Sequence, residues 1–347
     1  VHGSLLWRWC GAAAVAAIAA AGCSGPQQPE RTPEVTVRWV GATLHDPLWS
    51  YRTHALIGLT ADGRLAEVSD PLSPQHAKTL LSPPMPAGRN LQISRTDDRH
   101  LFVPQPNRNK VAVVDLGTLR QVDEFDAGPA PAYLTEDAGL RMLLALSADG
   151  LSVTPVDQHG YRKLATAIVT GDPADTIDGA NRGRAIEYHL YGPSGIRYYK
   201  GPSSPPAQRG SLHIDVAVSA GDSTQVTRSY VAGRDDGVLY AVDARRGGEG
   251  MLVLARTRLS SPIRKLGTDD TRIYAATDHE VVTLETASFT GYPHGTIPVL
   301  HVTNYRAGLP PGPVRSAPVS GMAVGPHRVY LTLAGTPYVL SVAKPHL

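Results

Sequence analysis

The chain has 347 residues, with 33 lysines and arginines against 31 aspartates and glutamates. That near balance leaves no basic field for a nucleic-acid backbone and no acidic tail, so no nucleic-acid partner is expected. With 34 glycines and 29 prolines beside 42% apolar residues, the composition excludes a collagen-like or disordered chain and favours a folded one rich in turns.

From Ser4 to Gly22 the chain is apolar except for Arg8. The run is short and weakly hydrophobic for a membrane span, which takes about 20 apolar residues, and it fits the core of an export signal. It ends in Ala20-Ala21-Gly22-Cys23, which resembles the bacterial lipobox, where small residues let signal peptidase reach the bond before a cysteine. The resemblance implies a signal peptide over residues 1–22 and a palmitate-bearing Cys23 that holds the protein on the extracytoplasmic side of the cell membrane. Two departures leave an uncleaved anchor and an ordinary cleaved signal as alternatives: Ala20 stands where leucine is commoner, and one Arg8 replaces a basic cluster. Val1 in place of Met points to a GTG start codon or a misplaced start. The cysteines are Cys10 and Cys23, so the mature chain would have no disulfide and no cysteine metal site. Each buried CH₂ of an acyl chain contributes about 0.8 kcal/mol, and several chains on one cysteine anchor firmly. Residues 23–35, polar and rich in proline, read as an extended linker.

Beyond the linker, short apolar or β-branched runs recur, each followed by a tight turn and a second run. In chain order the first runs are His54–Thr60, Leu101–Val103, Met142–Leu146, Ala185–Tyr188, Ser229–Val231, Ile273–Ala275 and Val329–Leu331. Their turns fall at 61–63, 107–109, 148–150, 192–195, 235–237, 277–279 and 334–336. Turn residues Asp62, Asn107, Asp149, Pro193, Asp236 and Asp278 lie 45, 42, 44, 43 and 42 residues apart, with Gly335 57 further on. Asp-Gly and Asn-rich pairs supply the positive φ that hairpins need. Asp70, Asp115, Asp157, Asp243 and Glu285 each follow their turn by seven or eight residues, so the second strand keeps a register.

A unit of about 43 residues with several short strands and no helical period is the mark of a propeller blade. The expected fold is all-β: a seven-bladed β-propeller with four-stranded antiparallel blades over residues 36–347. The extra length at 291–317 reads as an outer strand, Ile297–Val302, followed by a long loop, and Lys200–Arg209 reads as a surface loop. The last blade runs out of chain after Val342, so Val35–Val40 is expected to supply its outermost strand and close the ring.

Arg99-His-Leu-Phe-Val-Pro-Gln-Pro-Asn-Arg-Asn-Lys-Val-Ala-Val-Val-Asp115 resembles the YVTN-type repeat, and Arg228–Asp243 resembles it again. The resemblance implies a YncE-like seven-bladed propeller and transfers no catalytic residue. Six lysines against 27 arginines, with abundant alanine, point to a GC-rich, actinobacterial source.

There is no Gly-x-Ser-x-Gly, Walker loop, Gly-x-Gly-x-x-Gly or His-Glu-x-x-His. Thirteen histidines keep a divalent metal open, with His45-Asp46, His213-Ile-Asp215 and Asp278-His-Glu280 each placing imidazole beside carboxylate. Each pair alone is better read as turn chemistry. Arg99, Arg141, Arg184, Arg228, Arg272 and Arg328 stand at the start of the first run of their hairpins, either as a cationic rim or as polar residues solvating a turn. Tyr188, Tyr191, Tyr198 and Tyr199 cluster in one blade, with at least one of Tyr198 and Tyr199 expected in the core.

The expectation is a monomeric binding or scaffolding module, without cofactor, whose partner is an envelope protein or a small ligand. The ligand-binding face would carry Asp62, Asn107, Asp149, Asp236, Asp278 and His279. The alternatives are a metal-binding accessory protein serving a transporter, as in a propeller-type zinc metallochaperone, and a lactonase-type hydrolase.

Overall fold

The computed structural model describes residues 33–73, 77–179, 184–202, 204–244 and 250–346. The signal peptide and the lipidation site Cys23 expected upstream lie outside the described residues. The unit Glu34–Leu347 opens with β1 (Val35–Trp39). Blade 1 follows as β2 (Leu44–Ser50), β3 (Ala55–Thr60), β4 (Leu65–Ser69) and β5 (Lys78–Leu81). Blade 2 is β6 (Gln92–Ile93), β7 (His100–Gln105), β8 (Lys110–Asp115) and β9 (Arg120–Asp126). Blade 3 is β10 (Pro131–Asp137), β11 (Met142–Ser147) and β12 (Ser152–Asp157), its outer place shared by β13 (Arg162–Lys163) and β14 (Ala167–Ile168). Blade 4 is β15 (Thr176–Gly179), β16 (Ile186–Gly192), β17 (Gly195–Gly201) and β18 (Ala207–Leu212). Blade 5 is β19 (Val218–Gly221), β20 (Arg228–Ala232), β21 (Val238–Ala244) and β22 (Met251–Arg258). Blade 6 is β23 (Lys265–Thr268), β24 (Arg272–Ala276), β25 (Glu280–Glu285) and β26 (Val299–Asn304). Blade 7 is β27 (Val319–Val324), β28 (Arg328–Leu333), β29 (Tyr338–Ala343) and, as its outer strand, β1.

Every hairpin read from the sequence is therefore the middle pair of a blade, and the fold is a seven-bladed propeller. The ring closes as expected. β1 pairs antiparallel with β29 from Val35 against Val342 to Trp39 against Tyr338. Thr36 and Ser341 share a hydroxyl hydrogen bond of 2.6 Å, and the Arg328 guanidinium donates to the Glu34 carbonyl at 3.0 Å.

Two expectations shift. Ile297 is not in the outer strand but buried in the core between blades 5 and 6, and the strand begins at Val299. Of the segment expected as a loop, Lys200 and Gly201 end β17 while Ala207, Gln208 and Arg209 open β18, because blade 4 needs that outer strand to cover its third.

The core lies between blades. Phe102, Val111 and Val113 of blade 2 meet Leu134, Leu143 and Val156 of blade 3, and Tyr274 and Val281 of blade 6 meet Val329, Leu331 and Leu340 of blade 7. Burying each such side chain contributes about 1.5–3 kcal/mol, so stability comes from blade stacking around the ring.

Candidate functional site

Neighbouring strands are antiparallel, so each inner strand starts at the end of the ring where the second-to-third turns lie. All six residues expected at a binding face sit there, the hairpin face. The Asp62 carboxylate accepts from the Thr60 hydroxyl and, at 2.9 Å, from the Arg64 guanidinium. Asp149 accepts from the Ser147 hydroxyl at 2.6 Å and the Leu151 N–H at 3.0 Å, and Asp236 accepts from the Val238 N–H at 2.8 Å. These carboxylates hold their own turns. Asp278 takes the Arg264 guanidinium at 2.9 Å, while its second oxygen is buried without a partner among the described residues. Asn107, on the 3₁₀ turn Pro106–Arg108, and His279 are exposed. Apart from the neighbours Asp278 and His279, each belongs to a different blade, and none lines the central channel.

On the same face lies Arg306, which no motif or spacing in the sequence marks. Its guanidinium donates to the carbonyls of Asp278 (2.8 Å), Val314 (2.7 Å) and Ala317 (2.5 Å), pinning the long loop after β26 over the blade 6 turn.

The metal-type pairs stay separate. Asp46 faces Lys265 at 4.0 Å, His213 meets the Ser194 carbonyl at 3.1 Å, and Glu280 accepts from the Ser260 hydroxyl at 2.7 Å. Among the described residues, no three His, Cys, Asp or Glu side chains converge as a metal site.

The opposite end, the corner face, carries the arginines. Arg99 pairs with Asp115 at 3.1 Å, Arg228 reaches Asp243 at 3.2 Å and Asp222 at 3.5 Å, and Arg328 is buried on Ser341. Arg272 lies over the Phe289 ring at 4.9 Å. These four tie strand ends together. Arg141 and Arg184 are exposed, and Arg141 sits one residue before its strand at φ +53°.

The same face carries a repeated device that the sequence reading did not find. At or after the end of the inner strand, an aspartate accepts two backbone N–H groups: Asp97 from Arg99 and His100, Asp137 from Gly139 and Leu140, Asp222 from Thr224 and Gln225, Asp269 from Thr271 and Arg272. The second oxygen of Asp222 takes the Tyr230 hydroxyl at 2.7 Å, and that of Asp269 takes Tyr274 at 2.8 Å and Lys344 at 2.7 Å. In blade 3 the matching strand position is Leu144, and the second oxygen of Asp137 is buried without a partner among the described residues.

The tyrosine cluster is internal. Tyr188 and Tyr199 stack at 5.0 Å towards blade 3, while Tyr198 lies 5.1 Å from His189 on the blade 5 side. Both Tyr198 and Tyr199 are core residues, and burial pushes the His189 imidazole down to about 4, so it is neutral at physiological pH.

The inner strands enclose a central channel with a cavity of about 580 Å³. Its charged lining groups, among the described residues, are Arg95, Asp98 and Asp178. Asp178 is the third residue of β15, half-buried in the wall, and burial raises its carboxyl, with the Arg95 field and the N–H groups of Gly221 and Gly179 opposing. A Cβ on Gly221 would lie 2.2 Å from an Asp178 oxygen, so only glycine leaves room for that carboxylate. Across the wall, Gly179 donates to the Thr135 hydroxyl at 3.0 Å, and Thr268 donates to the Gly221 carbonyl at 2.7 Å. At the hairpin face the channel opens past Asp46, Lys265 and Thr176 through a cavity of about 310 Å³. A signal for this wall was present in the sequence: Gly179, Gly221 and Gly267 recur 42 and 46 residues apart.

No family profile matches the chain, and no curated protein matches it. Solved structures do. A chain of the mitotic checkpoint complex superposes with a TM-score of 0.66 at 12% identity, covering 96% of this chain and 99% of that one. U3-55K gives 0.65 at 12% identity over 90% and 98%, and the WD40 repeats of RRP9 give 0.64 at 11% identity over 89% and 97%. The likeness is one of fold.

Proposed function

We propose that this chain is a binding and scaffolding module of a bacterial cell envelope, a YVTN-type propeller held outside the membrane by acyl chains on Cys23. The observation that carries the binding role is the closed ring itself: loops from seven blades surround the open mouth of a channel on one rigid face, an arrangement that presents varied side chains without moving them. Solved propellers of the same architecture support the reading, one of them a chain of a multiprotein complex. The anchor rests on the small residues before Cys23 and on the apolar run that precedes them. A partner would meet Asn107 and His279 first, whose side chains are exposed at the turns, with Asp62, Asp149, Asp236 and Asp278 shaping the loops around them.

Crosslinking in intact cells followed by mass spectrometry tests the binding role. Recovery of one envelope protein, lost when Asn107 and His279 are both changed to Ala, is expected. Recovery of the chain alone with several crosslinkers overturns the role. For the anchor, metabolic labelling with palmitate is expected to mark the native protein and not Cys23→Ser, which should leave the membrane fraction.

A further inference from the structure

The Asp178 carboxylate has no ion pair and no side-chain hydrogen bond among the described residues, although it lies in a partly dehydrated wall. An ionised carboxylate in such a place is held at a loss unless a cation joins it. Among the described residues no cation fills that role. Arg95 is exposed at the channel mouth and acts on Asp178 only through its field, and Lys265 faces Asp46 at the other end. Yet the wall has room for the carboxylate, since glycine at 221 is what lets it lie there, with the Gly221 N–H beside it.

The surroundings narrow the cation. Calcium takes six to eight oxygen ligands and magnesium wants a near-ideal octahedron, whereas the described lining of the cavity carries two carboxylates, Asp178 and Asp98. An organic ammonium asks for less: one carboxylate, a hydroxyl to accept another N–H, and apolar surface for its chain. Tyr133 lines the same cavity, its hydroxyl makes no hydrogen bond among the described residues, and the Asp178 charge is felt at its ring. Leu48, Leu266 and Met322, which line the cavity and are only partly buried, supply the apolar wall. The volume, about 580 Å³, lies within the range of small-molecule sites.

We propose that the central channel binds a primary alkylammonium group, with the ammonium on Asp178 and Tyr133 and the alkyl chain along the leucine and methionine wall. The group is supplied either by a free amine or by a lysine side chain of a polypeptide. The site is separate from the hairpin face: a chain that failed to capture a protein through Asn107 and His279 would still bind the amine, and the converse also holds.

The test is calorimetric titration of the full chain with n-butylammonium chloride, 1-butanol and the peptide acetyl-Gly-Lys-Gly-amide. Saturable binding of n-butylammonium is expected, about tenfold or more tighter than 1-butanol, with Asp178→Asn losing about tenfold for the amine and nothing for the alcohol. Asp178→Asn should melt no lower than the native chain, because it removes an unpaired charge. Tyr133→Phe, which keeps the ring, should weaken the amine about threefold and gives a second reading if the Asn variant does not fold. Tighter binding of the peptide assigns the lysine source, and tighter binding of the free amine assigns the other. Equal binding of butylammonium and butanol, no binding of either amine, or undiminished binding by both variants overturns the proposal.

Discussion

The corners of blades 6 and 3 use one turn and reach opposite electrostatic ends. Asp269, just after β23, and Asp137, the last residue of β10, each accept two backbone N–H groups through one carboxylate oxygen. The difference is what meets the other oxygen. Burial would raise the Asp269 carboxyl, but the Lys344 hydrogen bond and charge, the Thr271 N–H and the Tyr274 hydroxyl bring it down to about 2. Burial raises Asp137 to about 6, with the Glu187 and Glu136 fields adding to it against its two backbone N–H groups. Tyr274 at the third position of β24 is Leu144 at the third position of β11. One strand residue thus helps to decide whether the corner is a clamp between blades or a buried, half-satisfied acid.

The largest expected effect breaks the clamp. Asp269→Ala leaves two backbone N–H groups, Tyr274 and Lys344 without their acceptor, and should lower stability at pH 7 by about 3 kcal/mol in urea unfolding. Next, Asp137→Asn keeps an oxygen for the turn and removes the buried charge, so it should be more stable than the native chain by about 2 kcal/mol at pH 7.5. Because the folded pKa of Asp137 is raised, that gain should fade as pH drops below about 6 and vanish only below the ordinary value of 3.8, where the carboxyl is protonated in both the folded and the unfolded state. For Asp269, whose folded pKa is depressed, the sign reverses. Its stabilisation relative to Asp269→Asn is full above pH 4 and disappears as pH falls through about 2, measured by thermal unfolding over pH 2–5. The smallest effect belongs to Tyr274→Phe, about 1 kcal/mol for one hydroxyl. If Asp137→Asn were destabilising at every pH, the contrast between the two corners would fail.

Much of the ring was legible because its hairpins carry strong local signals. Asp62, Asp149 and Asp236 must cap turns whose glycines adopt positive φ, and they do so at a nearly fixed interval. Val35–Val40 could be placed by need, since the last blade lacked an outer strand. The corner aspartates escaped notice because the loops joining them to the next strand differ in length. Asp269 is three residues before Arg272, and Asp222 is six before Arg228, so no fixed spacing exists to find. The arginine series looked uniform for the opposite reason: Arg141 and Arg228 match in sequence, yet one precedes its strand and the other begins it. The channel was hidden by brevity. Inner strands such as Gln92–Ile93 and Thr176–Gly179 are too short and too polar to show alternation, and Asp178 becomes interesting only when Gly221 from the next blade is beside it.

The pairing of Val35 with Val342 sets the order of events in assembly. The first strand of the ring must wait, unpaired, until the last strand of the ring has been made, and contacts so distant in sequence slow folding. Six blades can condense as neighbours in time, whereas the seventh is a latch between the first and last strands of the circle. A shortage of either segment should therefore delay locking of the whole circle rather than merely fray one edge.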